Sequence, residues 1–275
     1  MNDYGVVGII MSLYYKDKLD NIKASISSIL TQSYKNIILL VQVDGFVEKE
    51  VNIYLSHLST HDPRVKVFFN DNNEGLAHRM NQLIDILVVC PDVKYVARMD
   101  ADDISTDTRL EKQIKFLEIN SDVDVLGSDV IEINTEGQPF FYKKMSAEHS
   151  EIHKNIIKKC PFNHPTVIFR KEVFMGGVRY NNKLMNTQDY YLWVDLLAAG
   201  MKFANINEPL LYFRIDESFH SRRGWKKAVN DLNSRLYAFR NLDVINFGNI
   251  IHTVFLVTLR LSPSFLKKIV YKYFR

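Results

Sequence analysis

Short apolar runs rich in β-branched residues alternate with amphipathic segments through the first hundred positions. Residues 6–11 precede a helical pattern over 19–30, residues 37–43 precede 48–58, residues 65–69 precede 76–87, and residues 93–97 follow. Strands apolar on both faces, separated by stretches with one apolar stripe, predict βαβ units and a mainly parallel sheet. The fold class is α/β. In such sheets ligands bind beyond the carboxyl ends of the strands. That rule gathers Tyr14, Asp44, Asn73 and the acidic stretch at Asp100 around one crevice.

Beyond Asp107 the pattern is mixed: helix over 107–119, runs over 123–126 and 130–133, helix over 148–158, run over 166–170, and helix over 188–199. These elements are expected to complete the sheet and wall the crevice. From Gly224 the chain reads as helical, basic and aromatic, interrupted at Leu261-Ser262-Pro263 because proline disfavours helical geometry in the residue before it. The expected organisation is a catalytic domain over 1–223 and a basic helical extension over 224–275.

The 275 residues, 47% hydrophobic and 24% charged, can bury a full core. The net charge of +3 hides an asymmetry: residues 221–275 carry eleven Lys or Arg against two Asp, so the first 220 are net acidic. Cys90 and Cys160 fall in different predicted elements and indicate neither a disulfide framework nor a thiolate zinc site, which fits a reducing cytoplasm. The amino terminus lacks a basic region followed by a long apolar core, so secretion is not expected. The apolar stretch 250–261 is broken by His252, Thr253 and Arg260 and is shorter than the ~20 residues that cross a bilayer. With the basic residues concentrated late and no binding module visible, no nucleic-acid partner is expected.

Chemistry concentrates in Arg98-Met99-Asp100-Ala101-Asp102-Asp103. Three carboxylates where a strand ends are costly unless a cation or donors offset them. Two of them in D-x-D spacing can converge on one hard ion and leave coordination sites for phosphate oxygens and water, as Mg²⁺ or Mn²⁺ prefers. An acidic surface turn is the plain alternative. A calcium loop is disfavoured, because Ile104 and Ser105 stand where Asp or Asn and then Gly are needed.

Other positions admit two readings each. Asp44 can accept from a base amide or ribose hydroxyl, or simply form an Asp-Gly turn with Gly45. Tyr14 and Tyr15 can flank a base or pack at a strand end. His78 and Arg79 sit in the first turns of a helix, where positive charge suits a diphosphate or a solvated face. His164 is a candidate acceptor contact or a satisfied core histidine, and Asp189 a catalytic group or a favourable helix-start charge. Tyr212-Phe213-Arg214 and His220-Ser221-Arg222-Arg223 can meet phosphate charge or form a basic loop.

In this order the segments resemble the family 2 glycosyltransferases of GT-A fold, particularly bacterial enzymes that build surface polysaccharides, over about residues 6–223. Gly8 to Tyr14 is similar to the first strand and nucleotide-binding turn, Ser27 to Tyr34 to an S-x-L-x-Q-x-Y segment, and Val43-Asp44-Gly45 to a D-D-G turn. Glu74-Gly75-Leu76-Ala77 with Asn81 is similar to G-L-A-x-x-x-N, and Arg98 to Ser105 to R-M-D-A-D-D-I-S. Arg109 to Gln113 resembles R-L-x-x-Q, His164-Pro165-Thr166 the H-P-T block, and Gln188 to Trp193 the E-D-Y-x-L-W block. Val43, Met80 and Gln188 depart from the usual Asp, Arg and Glu. Nucleoside recognition is thereby left resting on Asp44.

The resemblance implies transfer of a sugar from a nucleoside diphosphate donor, most often a UDP-sugar, to an acceptor hydroxyl with inversion. It implies Asp100 and Asp102 on a Mn²⁺ or Mg²⁺ ion, and Asp189 as catalytic base. Ser12, Tyr14, Asp44, Arg79, Asp100, Ala101 and Asp102 are the candidate nucleotide-sugar contacts. His220 is a further candidate metal ligand, and His164 and Trp193 are candidate acceptor contacts. The acceptor is expected to be a glycan or a polyprenyl-diphosphate-linked sugar at the inner face of the cell membrane, and the apolar and basic tail can either lie on that membrane or pack on the domain as a helical pair with a basic outer face. A metal-dependent sugar nucleotidyltransferase would need a Gly-rich basic loop after the first strand, where Ser12 to Lys16 stands. A dinucleotide reductase would need G-x-G-x-x-G there. A sugar-nucleotide-binding protein weak in catalysis is kept open by Gln188.

Overall fold

The computed structural model describes residues 4–184, 186–215 and 225–262. Val6–Leu13 (β1), Ile37–Asp44 (β2), Val65–Asn70 (β3) and Val93–Arg98 (β4) lie parallel in the order β3-β2-β1-β4. The crossovers between them are Leu19–Leu30 (α1), Lys49–His61 (α2) and Leu76–Val88 (α3). Successive residues of a strand face opposite sides, and β1 feeds two cores. Val7, Ile9 and Met11 pack with α1, α2 and Arg109–Ile119 (α4), whereas Ile10 packs with Met80, Leu83 and Leu87 of α3. Gly8 permits that approach: a Cβ there would lie 2.5 Å from a Leu87 methyl carbon.

Ile104–Ser105 (β5), Val125–Ile133 (β6), Pro139–Lys143 (β7), Ile168–Arg170 (β8) and Phe203–Arg214 (β9) complete the sheet. Among the described residues its order is β3-β2-β1-β4-β8-β6-β9-β5, with β7 beside β6. β8 runs antiparallel to both β4 and β6, and β9 parallel to β6, so β6 and β9 share the direction of the first four strands. The α/β expectation holds, with a mainly parallel sheet.

Two local expectations change. The runs over 123–126 and 130–133 belong to the one strand β6, because its polar middle is satisfied internally. There the Ser128 amide donates to Thr166 Oγ1 and Asn163 Nδ2 donates to the Ser128 carbonyl. β9 has no periodic signature, since Asn205, Asn207, Glu208 and Pro209 interrupt its apolar residues. Asn205 is nevertheless buried, donating to the carbonyls of Ser146 and Pro161.

The remaining elements are His149–Asn155 (α5), a 3₁₀ turn at His164–Thr166, Glu172–Met175 (α6), Gln188–Ala198 (α7), Trp225–Asn241 (α8) and Phe247–Leu261 (α9). α8 docks on α7 through stacked Tyr191 and Tyr237 rings 4.4 Å apart, and Tyr237 Oη donates to Asp195 Oδ1 at 2.6 Å. No described helix is long and apolar enough to cross a membrane.

Candidate active site

At the end of β4 the chain turns through five residues into β5, and Asp100, Asp102 and Asp103 each bring a carboxylate oxygen within 4.8 Å of the others. Ala101 is buried among the side chains under α1 and α4, while its neighbours Asp100 and Asp102 keep solvent access. The turn is braced from several directions. Arg98 Nη2 contacts Asp100 Oδ1 at 2.5 Å. The Arg214 amide donates to Asp103 Oδ1 at 2.8 Å, Arg214 Nε donates to the Asp102 carbonyl at 2.9 Å, and Ser25 Oγ donates to the Asp100 carbonyl at 2.7 Å.

Crowded carboxylates repel one another and resist ionisation. Burial, then the Asp100 charge, pushes Asp102 up to about 6. Asp103, fully buried, is raised well above its ordinary value by burial and then by Asp102 and Asp100. Asp17, just past β1, is pushed up to about 7, chiefly by burial, with Asp102 and Asp100 adding to it while the Tyr14 amide at 2.8 Å works against it. One oxygen of Asp103 and two nitrogens of Arg98 are buried without a partner among the described residues. An all-oxygen donor set of this kind, with excess negative charge, fits a hard divalent cation such as Mg²⁺ or Mn²⁺.

Many motif residues turn out to hold this turn rather than to enter the crevice. Gln32, just past α1, donates to the Thr106 carbonyl at 2.6 Å and accepts from the Leu110 amide at 3.0 Å. Ser28 Oγ accepts from the Ser105 amide. Arg109, fully buried and lowered to about 9 by that burial, donates to the Arg98 carbonyl at 2.8 Å and to Gln113 Oε1. Gln113 in turn donates to the Thr166 carbonyl. The segments around Gln32, Arg109 and Thr166 are therefore one scaffold around the acidic turn.

At the ends of β1 and β2, Ser12 and Tyr14 are half-buried. Asp44 is buried, and both its carboxylate oxygens are engaged, accepting from the amides of Glu74 and Gly75 and from Arg79 Nε at 2.7 Å. Arg79 is 2% exposed and also donates to Asn70, Gln82 and the Asn72 carbonyl. Its guanidinium is thus spent inside the protein, tying the Asp44 turn to the start of α3, and does not face the crevice as a free cation. Gly45, at φ +83°, completes the turn with Asn73 N only 3.0 Å from where a Cβ would stand.

Asp189 lies in the first turn of α7, on a wall that shares Tyr180 as a neighbour with the acidic turn. Asn186, at φ 67°, bends the chain into that helix, a left-handed conformation asparagine tolerates better than most residues. Tyr180 links this wall to the acidic turn. Its hydroxyl contacts His164 Nε2 at 2.8 Å, its backbone is clasped by Asn81 in both directions, and it lies within electrostatic reach of Arg98, Asp189 and Asp100. Burial, reinforced by Arg98, holds His164 well below its ordinary value and so neutral. Trp193 is 0% exposed, packed against Phe162, His164, Phe169 and Phe203. The structure places it in the core and not on the acceptor side of the crevice. His220 lies outside the described residues.

Sequence reasoning singled out neither Asp17, Tyr180 nor Ser25, although each adjoins the site. The only available signal was for Asp17, three residues beyond Tyr14 at a strand end, a spacing that lets a carboxylate accept the earlier amide. Tyr180 and Ser25 carried none, because their positions depend on contacts across 99 and 75 residues of chain.

This sheet, with an acidic turn at the end of its fourth strand and helices on both faces, defines an α/β scaffold suited to a divalent cation and its ligand. Residues 9–176 match glycosyl transferase family 2. The chain is 30% identical to the UDP-Gal:alpha-D-GlcNAc-diphosphoundecaprenol beta-1,3-galactosyltransferase of Escherichia coli, covering 96% of this chain and 94% of that protein. It is 31% identical to the O-antigen biosynthesis glycosyltransferase WbnJ of Escherichia coli, over 86% and 88%. Among solved structures, residues 1–349 of S. aureus TarS in complex with UDP-GlcNAc share its fold with a TM-score of 0.67 at 16% identity, over 92% of this chain and 72% of that one. The chain belongs to glycosyl transferase family 2 and is a glycosyltransferase of GT-A fold.

Proposed function

We propose that this chain moves a sugar from a nucleoside diphosphate donor, a UDP-sugar foremost, to a hydroxyl of a glycan or polyprenyl-diphosphate-linked acceptor during synthesis of a cell-surface polysaccharide. The observation that carries the reading is the convergence of Asp100, Asp102 and Asp103 at the end of β4, with Tyr180 within electrostatic reach of both Asp100 and Asp189. The galactosyltransferase relative, whose name specifies a UDP-sugar and a lipid diphosphate acceptor, supports the choice of both substrates. In this reading residues 1–223 form the catalytic unit and 224–275 its helical extension. The reaction takes place on the cytoplasmic side, at the inner face of the membrane.

Asp100 and Asp102 would hold Mn²⁺ or Mg²⁺, with Asp103 behind them. Such an ion neutralises charge that gathers on the departing nucleoside diphosphate. Arg98 and Arg214 fix the two ligands so that little reorganisation is needed when the donor arrives. Ser12 and Tyr14 border the nucleoside end. Asp44 contributes by shaping the β2 turn, with Arg79 as its brace. Asp189 accepts the acceptor hydroxyl's proton on the face opposite the leaving group, a contribution of roughly 10² to 10⁴ in rate. Single displacement from that side inverts the anomeric configuration, and neutral His164 with Tyr180 supports the acceptor wall.

The test is product analysis with a panel of nucleotide sugars, Mn²⁺ or Mg²⁺ and a lipid-diphosphate-linked sugar. A disaccharide of inverted anomeric configuration with release of the nucleoside diphosphate is the expected result. Retained configuration, or products of nucleotidyl transfer, would overturn the assignment.

A further inference from the structure

α9 is amphipathic in the reverse sense for a helix packed on a protein. Three of its polar residues point inward: Asn249 is 2% and Thr253 5% exposed, and Arg260 Nε donates to Asp231 Oδ2 of α8 at 2.8 Å. Asn249 donates through Nδ2 to the Val244 carbonyl, and Thr253 Oγ1 donates to the Asn249 carbonyl. A row of its large apolar residues points outward. Phe247 is 80% exposed and Val254 61%, and Ile250, Ile251 and Phe255 are exposed with them. Their spacing makes one continuous stripe along the helix, extended by exposed Ile245 just before it. A contiguous outward apolar stripe marks a contact surface.

We propose that this outward face of α9 docks on an anionic lipid bilayer, with the helix lying in the headgroup layer. Its length excludes spanning, since fifteen residues rise only about 22 Å. The charge of the sequence that carries it identifies the partner. After Asp243 the sequence has five Lys or Arg and neither Asp nor Glu. Lys158 and Arg235 lie close enough to His252 on α9 to add to the burial that lowers it. Apolar stripes flanked by cations partition into anionic interfaces. A second copy of the chain fits less well, because a twofold contact of this face with itself would oppose like charges. The surface is independent of donor and acceptor chemistry, and α8 connects it rigidly to α7, which carries Asp189.

The experiment is co-sedimentation of the full chain, without substrates, with vesicles of phosphatidylglycerol and phosphatidylcholine or of phosphatidylcholine alone. Wild type is expected to sediment with the anionic vesicles, and the Phe247→Ser, Ile251→Ser, Phe255→Ser variant to lose at least tenfold in partition. All three sites are exposed, so its thermal transition and nucleotide-sugar binding are expected to stay as in wild type. In a second arm, Val254→Trp should gain, beyond the native tryptophans, a component quenched by brominated lipid. Equal partition of variant and wild type would overturn the proposal. So would absence of wild type from the anionic pellet, or a wild-type dimer that the triple variant dissociates without any vesicle binding. Because donor binding is read separately, failure here is distinguishable from failure of the transferase reading.

Discussion

Arg98 and Asp100 meet at 2.5 Å, with the cation buried at 3% exposure and the carboxylate open to the crevice. The pair sets a buried cation against one carboxylate beside Asp102 and Asp103, which burial and mutual repulsion drive toward protonation. Arg98→Met keeps the volume and removes the charge. Loss of one partner costs roughly 1–3 kcal/mol, at the low end because Asp100 retains water. Donor KM is expected to rise about tenfold with a smaller change in kcat, a split that steady-state kinetics reads directly. Unchanged KM would mean that the pair serves stability alone.

Asp189→Asn conserves shape and removes proton acceptance. Titration calorimetry with a UDP-sugar and Mn²⁺ should give wild-type affinity, while turnover falls by roughly 10² to 10⁴. A fully active variant would strike Asp189 from the role of base.

The raised acids give a pH signature. Asp102 near 6 and Asp17 near 7 both lie above the ordinary 3.8, so between about pH 4 and 7 the folded chain binds more protons than the unfolded one. Their contribution to stability is therefore present at low pH and lost as pH rises through that window. A divalent ion needs the carboxylates ionised, so its stabilisation should grow over the same interval. Melting curves from pH 5 to 8, with and without Mn²⁺, should diverge as pH rises, and Asp102→Asn should collapse the difference. Equal Mn²⁺ stabilisation of that variant would place the ion elsewhere.

Arg79 braces Asp44 from a position 2% exposed, and removing it strands a buried carboxylate. Arg79→Ala is expected to destabilise the fold by about 3–5 kcal/mol. Arg79→Lys should recover little, because one ammonium cannot reach the four partners that the guanidinium reaches. Chemical denaturation measures both. A stable Arg79→Ala protein with a selective defect in diphosphate affinity would return Arg79 to the donor site.

Trp193 makes a contrasting case of a motif residue in the core. Trp193→Ala should cost about 3–5 kcal/mol through cavity formation, and Trp193→Phe far less. Acceptor KM in Trp193→Phe is expected to remain near wild type. A large selective rise in that KM at undiminished stability would show contact with the acceptor.

Strands buried on both faces announced the βαβ half, since a core between two helical layers demands continuous apolar runs. The predicted helix over 19–30 coincides with α1, and the acidic turn stood out because charge at a strand end requires an explanation. β9 was invisible: its pairing with β6 is long-range and the side-chain nitrogen of its buried Asn205 donates to carbonyls from other segments. Local pattern carries no record of such partners.

The order of residues by itself determined the α/β class, the place of the crevice and the Asp100 to Asp103 cluster, because periodicity and charge are local properties. Tertiary structure alone decided which candidates share that crevice. It turned Arg79 and Trp193 inward, brought Asp17 and Tyr180 to the acids, and set the apolar side of α9 facing out. Burial and partner choice arise from contacts between distant segments, and desolvation, not residue type, then fixes which groups remain free to act.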